Sequence, residues 1–164
     1  MADIYRFKHL SYRPFVISME NRKLFLLGSL VIFIVALTLL FTGSPILDRS
    51  LSTTSNVPWG TWITWLGMIA LPFSIYWSSK GLREPDTRLR KLLSNILKII
   101  IILALLWAPI CYLLAGNIAF NFSEVEGFQG GQTAMKWFWR YSYGIPIVTI
   151  GVLLLYWVSH FIKK

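Results

Sequence analysis

The chain has 164 residues, of which 55% are hydrophobic and 14% charged, and its 16 basic and 7 acidic residues give a formal net charge of +9. A typical soluble domain is about 45–50% apolar and about 25% charged. This composition argues against a soluble globular enzyme, a disordered tail and a disulfide-stapled scaffold, so the membrane is the first solvent to test.

Residues 1–23 precede the first long apolar stretch and mix apolar with basic side chains. Ile4, Phe7 and Leu10 recur at a spacing of three, which places them on one side of a short helix, and Pro14 disfavours its continuation. We interpret this segment as cytoplasmic and interfacial, lying either on the membrane surface or against a partner subunit.

Four stretches are apolar and long enough to cross a hydrocarbon core of about 30 Å, which takes about 20 helical residues. They are residues 24–42, 59–77, 92–115 and 143–162. Because backbone polar groups must be paired inside lipid, we expect each stretch to be a helix. The predicted fold is therefore all-α, a polytopic integral membrane protein that forms one domain of four transmembrane helices.

Breakers and caps refine the ends and the shape of these helices. Asp86 and Thr87 are both positioned to cap the third helix. Pro72, Pro109 and Pro146 lie within the stretches, and each removes a backbone hydrogen bond, so we expect kinks there.

The basic residues are distributed unevenly between the two sides of this arrangement. Thirteen of the 16 lie in the N-terminal segment, in the loop between the second and third helices with its helical flank, and at the C-terminus. Arg49, Lys136 and Arg140 lie on the other side. By the positive-inside rule, both termini are predicted to be cytoplasmic, and the basic excess reflects topology rather than nucleic-acid binding. Anionic lipids are expected partners.

Several side chains at the predicted membrane boundaries are candidate contacts to lipid or to partner subunits. These are Lys98, Arg140, Trp137, Trp139, Arg88 and Arg90. Tryptophan favours the headgroup level because its ring is apolar and its N–H is polar. Lys98 is the one charged residue inside a stretch, so it either snorkels to the interface or pairs with a partner subunit or an acidic lipid.

Gly144 and Gly151 are one heptad apart in the fourth helix. They therefore share a face, and small residues let helices approach closely in membranes. We predict that this face is a helix-packing seam.

The residues that usually carry chemistry are scarce. Cys111 is the sole cysteine, and the two histidines are His9 and His160. A pair of histidines at mid-depth, as a transmembrane haem needs, is not predicted, although His160 is a candidate ligand for a single pigment or haem. The seven acidic residues fall outside the four stretches, which argues against a proton-driven transporter. We predict no catalytic residue and no metal site.

The segment Val57-Pro58-Trp59-Gly60 resembles the motif that opens an early transmembrane helix in the polysulfide-reductase-type, NrfD-like family. That family comprises quinol-interacting membrane anchors of respiratory complexes, so the resemblance implies a quinone approaching the start of the second helix. On this view Trp59 and Trp62 are candidate contacts to a quinone or pigment. The resemblance covers about 60 residues, and the family usually has eight or more helices instead of four.

The resulting hypothesis is a small non-catalytic subunit that anchors or stabilises a larger membrane complex, in respiratory or photosynthetic electron transfer, in a bacterial cytoplasmic membrane. Three alternatives stay open. They are a redox anchor that binds quinone or pigment, a membrane component of a secretion system, and a small transporter.

Overall fold

A computed structural model describes residues 19–52, 57–116 and 130–162, and 84% of these residues are helical. The helices are α1 (Met19–Thr42), α2 (Trp59–Ser78), α3 (Lys80–Arg83), α4 (Arg88–Leu105), α5 (Trp107–Ala115) and α6 (Gly131–Ile162). No strand occurs within those described ranges, so the all-α prediction is confirmed for them. Most of the predicted interfacial segment, residues 1–18, lies outside the described residues.

Two helices are long and apolar enough to cross a membrane, with candidate spans at Asn21–Thr42 and Gly131–Ser159. A third span is added if α4 and α5 together count as one. α2 has 20 residues and no charged side chain, but it is not among these candidate spans. In the described part of the chain, length and composition thus give two or three candidate spans, and the prediction of four spans stays unconfirmed.

Two helices begin earlier than predicted. α1 begins at Met19 instead of residue 24, and α6 begins at Gly131 instead of residue 143. The sequence estimate followed side-chain hydropathy, whereas a helix continues beyond the apolar region wherever its backbone hydrogen bonds can form. At 32 residues, α6 is about 48 Å long, which exceeds a hydrocarbon core of about 30 Å.

The predicted third stretch, residues 92–115, is divided between α4 and α5, which meet at a bend of 54° where a kink was expected from Pro109. The break at Leu106 lies three residues before Pro109. A proline has no N–H to donate to the carbonyl four residues earlier, here that of Leu105, and its ring clashes with that carbonyl. Pro72 and Pro146, by contrast, lie within α2 and α6, which are each assigned as one helix.

The helices pack as antiparallel neighbours. α1 lies mainly against α2, and α2, α4, α5 and α6 enclose the core. Phe25 stacks on Trp77 at one end of the α1–α2 pair, with ring centroids 5.5 Å apart. At the other end, Leu47 lies directly against Gly60. The largest buried side chains of the core include Leu93, Leu97 and Trp107.

The turn between α2 and α4 contains the short helix α3. Thr87 caps α4 by accepting a hydrogen bond from the backbone N–H of Arg90 at 3.3 Å, which confirms one of the two predicted caps. The tyrosine ring of Tyr156 lies so close to Gly81 that a Cβ there would be 2.9 Å from the hydroxyl. The turn is thereby held against the far end of α6.

Candidate functional site

A cavity of about 410 Å³ opens beside the α4–α5 break, between α1, α2, α5 and α6. Its walls are almost entirely apolar. The lining residues are Phe33, Ala36, Leu37, Leu40 and Phe41 of α1, Thr64, Gly67, Met68 and Leu71 of α2, Trp107 of α5, and Phe138, Trp139, Ser142, Tyr143 and Pro146 of α6. The volume is within the range of small-molecule sites.

The break that shapes this cavity is stabilised by side chains from both neighbouring helices. The Tyr141 hydroxyl donates to the carbonyl of Leu103, and Trp65 Nε1 donates to the carbonyl of Ala104 at 3.0 Å. Carbonyls next to a helix break must find donors elsewhere when water is absent. Trp65 and Tyr141 therefore bring additional donors from α2 and α6 to the last turn of α4, beside the break.

Aromatic contacts hold the α5 and α6 walls together. The Trp107 side chain is 1% exposed, and its Nε1 donates to Ser142 Oγ at 2.9 Å. Its ring lies 6.3 Å from that of Phe138, and Trp139 stacks on Tyr143 at 5.4 Å with an interplanar angle of 17°. These contacts give the cavity one rigid aromatic side.

The cavity lining carries hydroxyl groups and rings rather than ionisable acids or imidazoles. Thr64 is 8% exposed, and its Oγ1 is buried with no hydrogen-bond partner among the described residues. A buried hydroxyl without a partner costs about 1–3 kcal/mol. The arrangement therefore suits an apolar molecule, with Thr64 as an unused polar group beside it.

The predicted cofactor contacts lie apart from this cavity's lining. Trp59 is 43% exposed at the start of α2, and Trp62 packs against Trp65 with ring centroids 5.5 Å apart. His160 lies in α6, but its side chain is outside the described residues. The structure does not bring Trp59 and Trp62 to the cavity, and their contact with a quinone or pigment stays a prediction.

The Val57–Gly60 segment has a clear structural role in starting α2. The backbone N–H groups of Trp59 and Gly60 donate to the carbonyls of Arg49 and Leu47, both at 2.9 Å. A Cβ at Gly60 would lie 2.9 Å from the Leu47 carbonyl oxygen. Gly60 is thus required by the close approach of the preceding loop, which satisfies N–H groups that a helix start leaves unpaired.

The outer face of α4 carries a polar stripe, defined here as Arg88, Lys91, Asn95 and Lys98. All four are exposed, and their spacing of three and four residues aligns them along one side of the helix. The stripe extends about 15 Å from the start of α4. Among the described side chains, no acid lies within ion-pairing distance of Lys98.

Arg90, which was predicted to contact lipid or a partner, is mostly enclosed by side chains of this chain. Arg90 is buried, and its Nη1 binds Asp86 Oδ1 at 2.9 Å. Its guanidinium also lies 5.7 Å from the centre of the Tyr156 ring. Arg90 therefore connects the start of α4 to α6, whereas Arg88 two residues earlier is exposed and its contact with lipid or a partner stays a prediction.

The remaining predicted boundary residues lie near the start of α6. Arg140 is exposed and its guanidinium lies 5.5 Å from the Trp137 ring, which is 57% exposed. Trp139 is half-buried in the cavity wall. Arg140 and Trp137 are available to lipid or a partner, while Trp139 belongs partly to the interior.

Gly144 and Gly151 do not form a packing seam within the described chain. A Cβ at either position would meet nothing within 4 Å, although Gly144 lines a groove together with Ile99 and Leu103 of α4. The close contacts are instead at Gly60, Gly67 and Gly81. A role for the Gly144 face in packing against another subunit stays a prediction.

Sequence reasoning did not single out Trp65, Tyr141, Ser142 or Thr64. Their positions depend on which helices become neighbours, and this information is absent from hydropathy. Pro109 was the usable signal, because a proline-induced break needs donors from adjacent helices.

No family model, curated protein or solved structure matches the chain. Among the described residues, no group of three or more His, Cys, Asp or Glu side chains is arranged to hold a metal ion. Any assignment of function therefore depends on the cavity and the surface of the helices themselves.

Proposed function

We propose that this protein is a four-span membrane subunit with cytoplasmic termini, which binds a larger complex through the polar stripe on α4 and has no catalytic role. The observation that carries the proposal is the outward exposure of Asn95 and Lys98 at a depth where the rest of the helix surface is apolar. A respiratory or photosynthetic complex of a bacterial cytoplasmic membrane is the proposed setting.

Inclusion of α2 as the fourth span is supported by its packing. It runs antiparallel to α1 from the Phe25–Trp77 stack to the Leu47–Gly60 contact. A helix that lies alongside a spanning helix over this length occupies the same depth. Its tryptophans are compatible with that position because indole rings favour membrane interfaces.

The proposed orientation is supported by the residues that gather at each end. Arg22, Arg83 and Arg90 lie at the end that contains Trp77, whereas Arg49 and Arg140 lie toward the other. Basic residues are enriched on cytoplasmic sides. The first end is therefore proposed to be cytoplasmic.

The polar stripe supports a protein partner more than lipid alone. Lys98 lies about 9 Å beyond Leu92, where the predicted span begins. A lysine at the bilayer centre costs about 2.5–3.5 kcal/mol in insertion measurements, and the cost for Lys98 is lower because it lies nearer the interface and can snorkel. An acidic or polar residue of an adjacent subunit would pair with Lys98 and give Asn95 a hydrogen-bond partner.

The test is complex assembly in native membranes solubilised with mild detergent. Asn95→Val combined with Lys98→Met removes the polar groups with little change in shape and is expected to release the chain from its high-mass complex. Ile102→Ala, at an exposed apolar position on the same helix, is the matched control and is expected to leave assembly intact. A double variant that stays in the complex would overturn the proposal.

The cavity favours a second candidate, binding of a quinone or another lipophilic molecule. Its apolar walls, its stacked Trp139–Tyr143 pair and the unpaired Thr64 hydroxyl suit a ring with a polar substituent. Lipid extraction of the purified chain is expected to yield such a molecule, and Thr64→Val is expected to reduce its amount by replacing the unpaired hydroxyl with a methyl group of similar size. Equal amounts in both proteins would count against this candidate.

A further inference from the structure

A groove of about 350 Å³ lies between α4 and α6 and shares no lining residue with the cavity beside the α4–α5 break. The buried side chains of Ile100 and Ile145 form its floor, and the exposed side chains of Ile99 and Val148 form its edges. Gly144 also lines it, and an added Cβ there would meet nothing within 4 Å. This opening, named here the α4–α6 groove, is therefore an apolar surface that the described part of the chain leaves uncovered.

Contacts between α4 and α6 fix the separation of the two helices along this groove. The Tyr141 hydroxyl donates to the carbonyl of Leu103 near one end, and both residues also line the groove. Toward the other end, the Arg90 guanidinium lies 5.7 Å from the centre of the Tyr156 ring. The two contacts are about 20 Å apart along α4. The helices are therefore held at two places, and the space beside Gly144 stays open between them.

One end of the α4–α6 groove carries a positive charge. Arg140 lines the groove and is exposed, and its guanidinium lies 5.5 Å from the centre of the Trp137 ring. That contact covers one face of the guanidinium and leaves the N–H groups at its edge available. Among the described side chains, no carboxylate lies within 4.0 Å of Arg140. The exposed Lys136 precedes it by four residues, on the same face of α6. The groove is thus apolar along its length and cationic at one end.

The length of the groove matches one leaflet of a membrane. Arg140 and Val148 both line it, and they are about 12 Å apart along α6. One leaflet contributes about 15 Å to a hydrocarbon core of about 30 Å. In the proposed membrane placement, Arg140 lies just outside the apolar stretch 143–162, so the groove runs from headgroup depth toward the bilayer centre. An acyl chain occupies one leaflet only, whereas a transmembrane helix of a partner subunit crosses both.

We propose that the α4–α6 groove binds one acyl chain of an anionic phospholipid, whose phosphate binds Arg140. Arginine presents its N–H groups in a planar fork that matches phosphate oxygens. Methylene groups laid along Ile99, Gly144 and Val148 would fill the open space by van der Waals contact. Lys136 adds a second positive charge near the headgroup, which favours a lipid of net negative charge over a zwitterionic one.

This inference rests on the proposed membrane placement of the chain but not on the polar stripe of α4. Asn95 and Lys98 do not line the groove. A soluble phosphate would contact Arg140 and gain nothing from the apolar surface beyond it. Lipid binding is measured on the chain alone, whereas the stripe is tested by assembly in native membranes, so failure of one proposal is distinguishable from failure of the other.

The test measures lipid binding to the full chain purified in a neutral detergent. Native mass spectrometry counts bound lipids while phosphatidylglycerol, phosphatidylcholine or inorganic phosphate is added, and thermal unfolding is followed in parallel. The site variants are Arg140→Gln and Gly144→Leu. The control for the first is Arg49→Gln, at an exposed arginine proposed to lie on the same side of the membrane. The control for the second is Gly151→Leu, at an open glycine of α6 that does not line the groove.

We expect phosphatidylglycerol to bind the wild type more tightly than phosphatidylcholine and to raise its unfolding temperature. Arg140→Gln should weaken that binding about 10-fold or more, as expected for loss of a charge-assisted hydrogen bond. Gly144→Leu should abolish the lipid-induced rise in unfolding temperature, because helical side chains lean toward the N-terminus and the leucine would occupy the groove beside Arg140. Both controls should behave as the wild type. If one site variant fails to fold, the other tests the same site independently.

Four results would overturn the proposal. One is wild-type behaviour of either site variant toward phosphatidylglycerol, and another is an equal loss of lipid stabilisation in the Gly144 and Gly151 variants. The third is equal binding of phosphatidylglycerol and phosphatidylcholine to the wild type, or no saturable binding of either, which would leave the groove to a partner helix. The fourth is a stabilisation by inorganic phosphate equal to that by phosphatidylglycerol, which would assign Arg140 to a soluble anion.

Discussion

Gly67 of α2 faces Ala36 of α1 so closely that a Cβ added at Gly67 would lie 2.8 Å from the Cβ of Ala36. Ala36 is the one buried residue among the α1 side chains that the structure describes, and both Ala36 and Gly67 line the cavity. Small residues at a helix crossing are the main means by which membrane helices approach each other. The α1–α2 interface therefore depends on this pair.

Gly67→Ala is expected to destabilise the protein by about 1–3 kcal/mol, the usual cost of overpacking a close contact. Ala36→Gly in the same chain should restore most of the loss by removing the clashing methyl group. Gly28→Ala is the control, since a Cβ there meets nothing within 4 Å. Unfolding in detergent measures all four proteins, and equal stability of the Gly67 and Gly28 variants would contradict this account.

The buried hydrogen bond from Trp107 to Ser142 leads to a second prediction. Ser142→Ala should destabilise the α5–α6 contact by about 0.5–1.5 kcal/mol, because hydrogen bonds between membrane helices contribute modestly. Thermal unfolding followed by tryptophan fluorescence measures the effect. Ser78→Ala, at an exposed serine at the end of α2, is the control and should have little effect.

The open face at Gly144 and Gly151 leads to a prediction that separates chain stability from assembly. Alanine at either position should leave the isolated chain as stable as the wild type, because the added Cβ meets nothing within 4 Å. If this face contacts a partner, the same variants should reduce complex assembly on a native gel. A large loss of stability in the isolated chain would contradict the open geometry.

The four-span arrangement predicts how three exposed positions react with a membrane-impermeant thiol reagent. In a Cys111→Ala background, cysteines replacing Asp48 and Lys136 should react from outside intact cells. A cysteine replacing Lys91 should react only after the membrane is opened. If α2 did not span the membrane, positions 48 and 91 would react from the same side.

Hydropathy alone predicted most of the helical regions, because a lipid solvent constrains composition strongly. Hydropathy located α1 and α2 to within a few residues. Thr87 was predicted as a cap of α4 because its hydroxyl can accept a hydrogen bond from the first turn of a helix. Hydropathy placed the start of α6 twelve residues late, since Trp137, Trp139 and Arg140 resemble an interfacial loop in composition. The bend at Leu106 was only partly foreseen, although Pro109 was recognised as a source of a kink.

The candidate site was less accessible from the sequence than the helices were. The cavity requires α1, α2 and α6 to be neighbours. When a helix is apolar on every side, its sequence does not show which side packs against the other helices. Arg90 illustrates the same limit, because its spacing matches that of exposed basic residues while Asp86 and Tyr156 bury it. The cavity and the burial of Arg90 both depend on which helices lie next to each other. The sequence therefore does not show that Arg90 is buried while Arg88 is exposed.

Photo-crosslinking from Asn95 in native membranes tests the central claim most directly. A benzophenone-bearing residue at position 95 should form a discrete adduct with another membrane polypeptide, and Lys98→Met should reduce the yield. The same residue at position 154, on the exposed surface of α6, provides the comparison for lipid-facing background. A position-95 probe that forms no protein adduct, while the chain is inserted at normal levels, would contradict the account of α4 as a subunit interface.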